Sequence, residues 1–356
     1  MQAIHQFVAG FSNGDAISNE ARVLRQLFRG WGHASEIYCE LKRILPELRA
    51  TTIDLATAAA TIRPDDIVIL HLSIGSPVND AFAALNCRKA IIYHNITPPH
   101  FFQGVQQEIV HNLKKGLEQA RMLAGKAPVI MAVSQFNAGE LEAMGHRNVK
   151  VLPLFLDRAG WDIAPNRRVT GLYKDGKTNI LFVGRCAPNK RIEDLLAAFY
   201  YFQRFVEPES RLIHVGSYAG MERYYALLRT KAVELKLQNV FFAGSVRQDE
   251  LNAYYDCADA FLCLSEHEGF CIPVLEAMAH KVPVVAHAAA AIPETLGGAG
   301  ILLFEKNYDL VAETLGRVVR DESLRSAVIA KQTGRLNAYM KRDLHAELRE
   351  HLASLM

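Results

Sequence analysis

Long apolar runs are missing from this chain of 356 residues, and none approaches the ~18 residues of a membrane-spanning helix. No basic-then-apolar leader opens it, so the expected compartment is the cytoplasm. Cysteine is sparse. Six thiols (Cys39, Cys87, Cys186, Cys257, Cys263 and Cys271) are scattered without a C-x-x-C pair or a histidine at zinc spacing. They read as reduced core residues, not as a disulfide framework or a structural metal site. Charge of one sign is absent as well: 40 Lys and Arg stand against 38 Asp and Glu, which predicts no nucleic-acid partner. Neither G-x-G-x-x-G nor G-x-x-x-x-G-K-[ST] occurs, which removes the main support for dinucleotide and P-loop binding. D-x-D is missing too, so no carboxylate ladder for a divalent metal is expected.

What is present is the composition of a globular protein, 50% hydrophobic and 22% charged, long enough for two domains. Short β-branched runs such as "AIHQFVAG", "DIVILHLS" and "KAIIYHNI" alternate with helical patterns such as "DAISNEARVLRQLFRGWGH". That alternation is the signature of parallel sheets wrapped by helices. Residues 1–157 form one such unit. Residues 158–177 lose the periodicity and gather Pro, Gly and charge, the pattern of a linker. The alternation restarts over 178–330, and a helical segment, 331–356, is expected to pack back toward the first domain. The inferred architecture is α/β, two Rossmann-like domains facing across a cleft.

The stretch "SEHEGFCIPVLEAMAHKVPVVAH", residues 265–287, carries two carboxylates, Glu268 and Glu276. The preceding "DAFLCLS" is apolar on both faces and reads as a central parallel strand. Pro273 suits the first turn of the helix that follows. Glu268 then lies in a loop at the carboxyl end of a strand and Glu276 about one turn into a helix. Ligands of open α/β sheets bind at that edge, above helix N-termini. Gly269 lets backbone approach a ligand closely, and a carboxylate there suits the hydroxyls of a sugar or ribose. Taken alone, Glu276 would merely complement a helix dipole. In "FVGRCAPNKR", Arg185 and Lys190 fall between the first strand and first helix of the second domain. Two cations there fit a diphosphate, with a solvated surface pair as the plainer alternative.

Together these residues resemble the retaining glycosyltransferases of family 4, whose two-domain fold is called GT-B. The segments "VGRCAPNKRIEDLLAAF" and "FAGSVRQDELNAYYDCADAFLCLSEHEGFCIPVLEAMAHKVPVVAHAAAAIPETLGGAG" carry the resemblance, with "YHNITPP" and "VSQFN" adding to it more loosely. The resemblance implies that Glu276 holds the nucleotide ribose and Glu268 the donor sugar, helped by backbone at Gly269 and Phe270. It implies that Arg185 and Lys190 grip the diphosphate, and that the base rests near Ser245 and Val246. It also implies that His94 reaches the transferred sugar; without it, a capping histidine would be the preferred reading. Gly14 joins the donor set, while Asp15, His71, Ser73 and Phe101 are the acceptor candidates. "HAAAAIPE" departs from the family by carrying alanines where many members have glycines before the Pro-Glu.

The expected reaction is metal-independent front-face transfer, the departing phosphate deprotonating the acceptor hydroxyl. No cofactor beyond the nucleotide-sugar co-substrate is expected. The donor would be GDP-mannose or a UDP-sugar, the acceptor a saccharide or polyprenol-linked saccharide of bacterial surface-polysaccharide synthesis. "RVLRQLFRGW" and "NLKKGLEQARML" mix basic and apolar residues, so peripheral membrane contact through the first domain is one option and solvated helix faces the other. A nucleotide-sugar epimerase or hydrolase of the same shape, or a non-catalytic nucleotide-sugar-binding partner, are the alternatives.

Overall fold

The computed structural model describes residues 2–156 and 158–356. Seven parallel strands form the first sheet: β1 (Ile4–Val8), β2 (Ile37–Cys39), β3 (Ile53–Asp54), β4 (Ile67–Leu72), β5 (Arg88–Tyr93), β6 (Val129–Ala132) and β7 (Lys150–Val151). Their order is β3-β2-β1-β4-β5-β6-β7. The second sheet holds β8 (Thr178–Val183), β9 (Ser210–Val215), β10 (Val240–Gly244), β11 (Ala260–Cys263), β12 (Val284–His287) and β13 (Ile301–Leu303). They lie in the order β10-β9-β8-β11-β12-β13. Strands β1, β4 and β11 are buried at every position, as parallel strands covered on both faces must be. Because all pairings are parallel, the strands of each sheet end at one common edge.

The first helix, Ala16–Gly30, shows how the sequence sets these elements. Asp15 caps it by accepting from Ser18 N at 2.8 Å, and Ala21, Leu24 and Phe28 bury its apolar face. It ends two residues before Gly32, whose φ of +90° turns the chain. Not anticipated was the helix Pro77–Ala84, although its signals are present. Ser76 caps it through Val78 N at 3.2 Å, and Pro77 occupies its first turn.

The chain divides into two compact units: Met1–His100, Gln107–Asp157 and Asp343–Met356 form one, Phe101–Gln106 and Arg158–Arg342 the other. The segment 158–177 is therefore no free linker but part of the second unit. It contains the helix Arg167–Tyr173, capped by Asn166. Asn166 Nδ2 reaches Asp249 at 2.9 Å, and Asn252 Nδ2 holds the carbonyls of Gly160 and Ile163 at 2.9 and 2.7 Å. Polar side chains of a neighbouring helix thus satisfy a backbone that lacks apolar periodicity. The helix Glu322–Met340 also stays in the second unit, where Gln332 bonds Val284 N and Val282 O, each at 2.8 Å. The change of unit falls after Arg342, not at 331. The last helix, Leu344–Leu352, belongs to the first unit, with Arg349 over the Trp31 ring at 5.5 Å. Among the described residues no helix is long and apolar enough to cross a membrane.

The ends of β8 and β9 meet so closely that a Cβ on Gly216 would lie 1.9 Å from Gly184 O. Gly216→Ala should therefore cost about 3 kcal/mol or more, above the usual range for overpacking. Denaturant unfolding measures it, and a loss below about 1 kcal/mol would show that the two loops part easily.

Candidate functional site

In the second unit the carboxyl edge of the sheet gathers the expected residues. The loop after β8 carries Arg185 and ends in a short turn, Pro188–Lys190; the loop after β11 carries Glu268. Lys190 Nζ donates to Glu268 Oε2 at 2.5 Å, with side-chain exposures of 20% and 9%. Burial works against the ammonium, but the adjacent Glu268 outweighs it and Lys190 lies above its ordinary pKa. Arg185, by contrast, is exposed and has no ion-pair partner among the described residues. A compact anion arriving at this edge meets one free cation and one already committed to a carboxylate.

Asn189 clips the two loops together. Its Nδ2 donates to His267 O at 2.9 Å, and its carbonyl accepts from Glu266 N at 3.0 Å. A second tie runs through the buried Asp194, which accepts from Arg191 Nε at 3.0 Å, Lys306 Nζ at 2.8 Å and Tyr308 OH at 2.9 Å. Lys306 also holds Glu266 at 2.8 Å. Sequence reasoning missed Asn189, Asp194 and Lys306, because, Arg191 apart, their partners lie 40 to 114 residues away. Cys271 enters the next helix at φ 73°, and Gly269 and Phe270 precede it; the Phe270 ring lies 5.9 Å from that of Tyr339.

Glu276 sits in the helix Ile272–Ala279 and accepts from Tyr255 OH at 2.8 Å. Burial raises its pKa, and the bonds from Tyr255 and Trp161 work against that. Tyr255 therefore fixes the direction of this carboxylate. Ser245 is exposed and Val246 half-buried in the loop after β10, at the same edge. The sequence places Phe101 with the acceptor candidates of the first domain. It falls instead in the second unit, its ring 6.2 Å from His267. The short segment 101–106 crosses between units, a path that periodicity does not reveal.

In the first unit, His71 of β4 and His94, directly after β5, come together: His71 Nδ1 and His94 Nε2 lie 2.9 Å apart. Glu20 of the first helix joins them, its Oε2 3.4 Å from His94 Nε2 and 3.9 Å from His71 Nδ1. Glu20 Oε1 accepts from Phe155 N at 3.0 Å. The side chains of Glu20, His71 and His94 are 2%, 0% and 4% exposed. Desolvation sets the charge here. It raises Glu20 to about 8, lowers His71 to about 3, and, with His71 beside it, lowers His94 well below its ordinary value. At neutral pH all three are predominantly uncharged. Of the remaining candidates, Asp15 is occupied as a helix cap, Gly14 is exposed at φ 71°, and Ser73 is half-buried.

Among the described residues, two clusters bring three polar side-chain atoms within 4.8 Å of one another: Glu20, His71 and His94, and Cys263, Glu268 and Cys271. In the first the imidazoles bond each other, and in the second Glu268 is engaged by Lys190.

Residues 163–335 match the family model described as glycosyl transferases group 1. The O-antigen chain mannosyltransferase B of Escherichia coli is 28% identical over 153 residues, 42% of this chain and 39% of that protein. The chain spans less than half the length of this and the next three curated relatives it matches. Among solved structures, the sucrose-phosphate synthase of Thermosynechococcus elongatus superposes with a TM-score of 0.78 at 16% identity, covering 100% of this chain and 99% of that one. Anabaena HepE, solved with UDP and glucose, gives 0.75 at 18% identity, covering 99% and 100%. These likenesses show the GT-B fold.

The buried acid and imidazoles make stability depend on pH in two opposite ways. Glu20 titrates near 8 when folded and near its ordinary value when unfolded. The stability it confers is complete below about pH 4.5 and lost as pH rises toward 8. His71, near 3 when folded, binds its proton more readily unfolded, so stability also falls as pH drops from about 6.5. Glu20→Gln should remove the first trend and leave the second. Urea unfolding of both proteins between pH 4.5 and 8.5 checks this; parallel curves would show that Glu20 is not buried as a neutral acid.

Proposed function

We propose, from the match of residues 163–335 to the group 1 glycosyl transferases, that the whole chain is a retaining, metal-independent glycosyltransferase. The proposed donor is GDP-mannose or a UDP-sugar, and the proposed acceptor is a saccharide or lipid-linked saccharide of surface-polysaccharide synthesis. The observation that carries this reading is the part-buried Lys190–Glu268 pair together with the exposed Arg185, all in loops at the carboxyl edge of the second sheet. The E. coli relative is a mannosyltransferase and HepE was solved with UDP and glucose, which supports the choice of donors.

In this reading the diphosphate takes Arg185 and Lys190 as its cations, and Lys190 turns from Glu268 toward it. Glu268 is then free to accept from the hydroxyls of the donor sugar. Glu276, held by Tyr255, accepts from the ribose, while the base lies along Ser245 and Val246. As the sugar–phosphate bond breaks, negative charge grows on the departing oxygen, where fixed cations stabilise it most. That oxygen takes the proton of the attacking hydroxyl, so attack and departure share one face and configuration is retained. His94 acts on the transferred sugar as a neutral ring. Asp15, His71 and Ser73 stay with the acceptor, and peripheral membrane contact of the first unit belongs to the lipid-linked form of the proposal.

The test is transfer by the purified protein from each donor to added acceptors, in the presence of a chelator, with the product read by proton NMR at its new anomeric centre. An α-linked product from an α-linked donor is expected. A β-linked product, a strict metal requirement, or isomerised or hydrolysed donor without transfer would overturn the reading. Lys190→Ala should lower turnover per folded molecule by on the order of 10²–10³-fold, the usual loss when one preorganised group that stabilises transition-state charge is removed. Arg185→Ala, which removes an exposed cation, should cost less. A loss under about threefold for Lys190→Ala, which is far below one buried interaction, would remove the diphosphate from this loop.

A further inference from the structure

Among the described residues Glu20 has one carboxylate oxygen with no hydrogen-bond partner, the buried Oε2. Around it the proton positions follow from the network. Gln6 donates Nε2–H to Ala21 O at 2.9 Å, so its Oε1 faces His71 Nε2 at 3.0 Å, which must carry the proton there. A neutral His71 then presents a bare Nδ1. The proton in the 2.9 Å contact therefore belongs to His94 Nε2. His94 Nδ1 is left as an acceptor; it is not among the buried unpartnered atoms and bonds no described residue. The orphaned Oε2 lies 3.4 Å from the His94 Nε2 that carries this proton.

We propose that Glu20 is a positioning residue for His94: as a carboxylate it takes the Nε2–H of the ring and makes Nδ1 the stronger acceptor toward a substrate hydroxyl. This rests on the assignment of His94 to the transferred sugar. The physical basis is that of any carboxylate behind an imidazole, where an anion at one ring nitrogen stabilises positive charge developing at the other. Glu20 has two titratable neighbours, His71 from β4 and His94 from the end of β5. Gln6 of β1 and the Phe155 N–H are uncharged. His345 of the last helix lies beyond Phe155, stacked on its ring at 5.7 Å. No Lys or Arg is paired with Glu20 among the described residues.

Because burial holds Glu20 near 8, the carboxylate fraction rises about tenfold between pH 7 and pH 9. In the wild type kcat should rise by about the same factor over that range, with the donor KM unchanged. In Glu20→Gln the rise should be absent, and kcat at pH 9 should fall about tenfold or more below wild type. A profile that the substitution leaves unmoved, or a change confined to KM, would overturn the proposal.

Nitrogen-15 NMR of the histidine rings tests the same arrangement without any transferase assay. At pH 6.5 the wild-type His94 should show protonated Nε2 and bare Nδ1. The His71 and His94 signals should shift together at one alkaline midpoint, and Glu20→Gln should abolish that shift. An Nδ1–H tautomer, no alkaline shift in the wild type, or a stoichiometric metal retained on these rings would each sink the assignment. Should the wild type transfer no sugar while the NMR behaves as expected, the proposed function fails and the proton arrangement stands.

Discussion

The bond between Lys190 and Glu268 governs the second unit. Two side chains, 20% and 9% exposed, are charged in a place where either alone would be costly. Each is stable because the other is there, and both are held by loops that have to be brought together first. Asn189 does this through one side-chain and one backbone bond. Asp194 does it from beneath, gathering Arg191, Lys306 and Tyr308 and, through Lys306, the Glu266 two residues from Glu268. The fold supplies the rest, since parallel strands deliver all these loops to one edge.

The first unit meets the same problem of buried ionisable groups and solves it in the opposite way. Glu20, His71 and His94 are more deeply enclosed, and among the described residues no Lys or Arg answers the acid. Desolvation prevails and the groups become neutral: the acid gains a proton and the imidazoles shed theirs. The difference is one of partners as well as of depth. Lys190 keeps its charge because Glu268 is 2.5 Å away, whereas among the described residues Glu20 finds only a backbone N–H on one oxygen.

Much of this was legible in the sequence wherever the signal was local. The alternation of strands and helices, the apolar strand "DAFLCLS", Pro273 in the first turn and the capping Asp15 all depend on neighbours within a few residues. The loops bearing Arg185, Lys190 and Glu268 followed from the strand ends. What stayed hidden depended on partners far along the chain. Residues 158–177 looked like a linker because their order comes from Asn252 and Asp249. Phe101 looked like part of the first domain because nothing local marks the crossing at 101–106. Glu20 was passed over for the same reason: on a helix that reads as amphipathic, a lone glutamate looks solvated.

That last omission shows where sequence patterns mislead about charge. The periodicity of the first helix places Ala21, Leu24 and Phe28 inside, and the same turn that buries Ala21 carries Glu20 in with it. Gln6, whose amide reaches the carbonyl of Ala21, then orients His71, and His71 orients His94. A residue chosen for packing and a residue chosen for its proton thus share one turn of helix. The tautomer of His94 follows from an amide on β1, two links away. Local pattern could name His94 as a candidate, but only the chain of contacts through β1 and β4 determines which of its nitrogens is free.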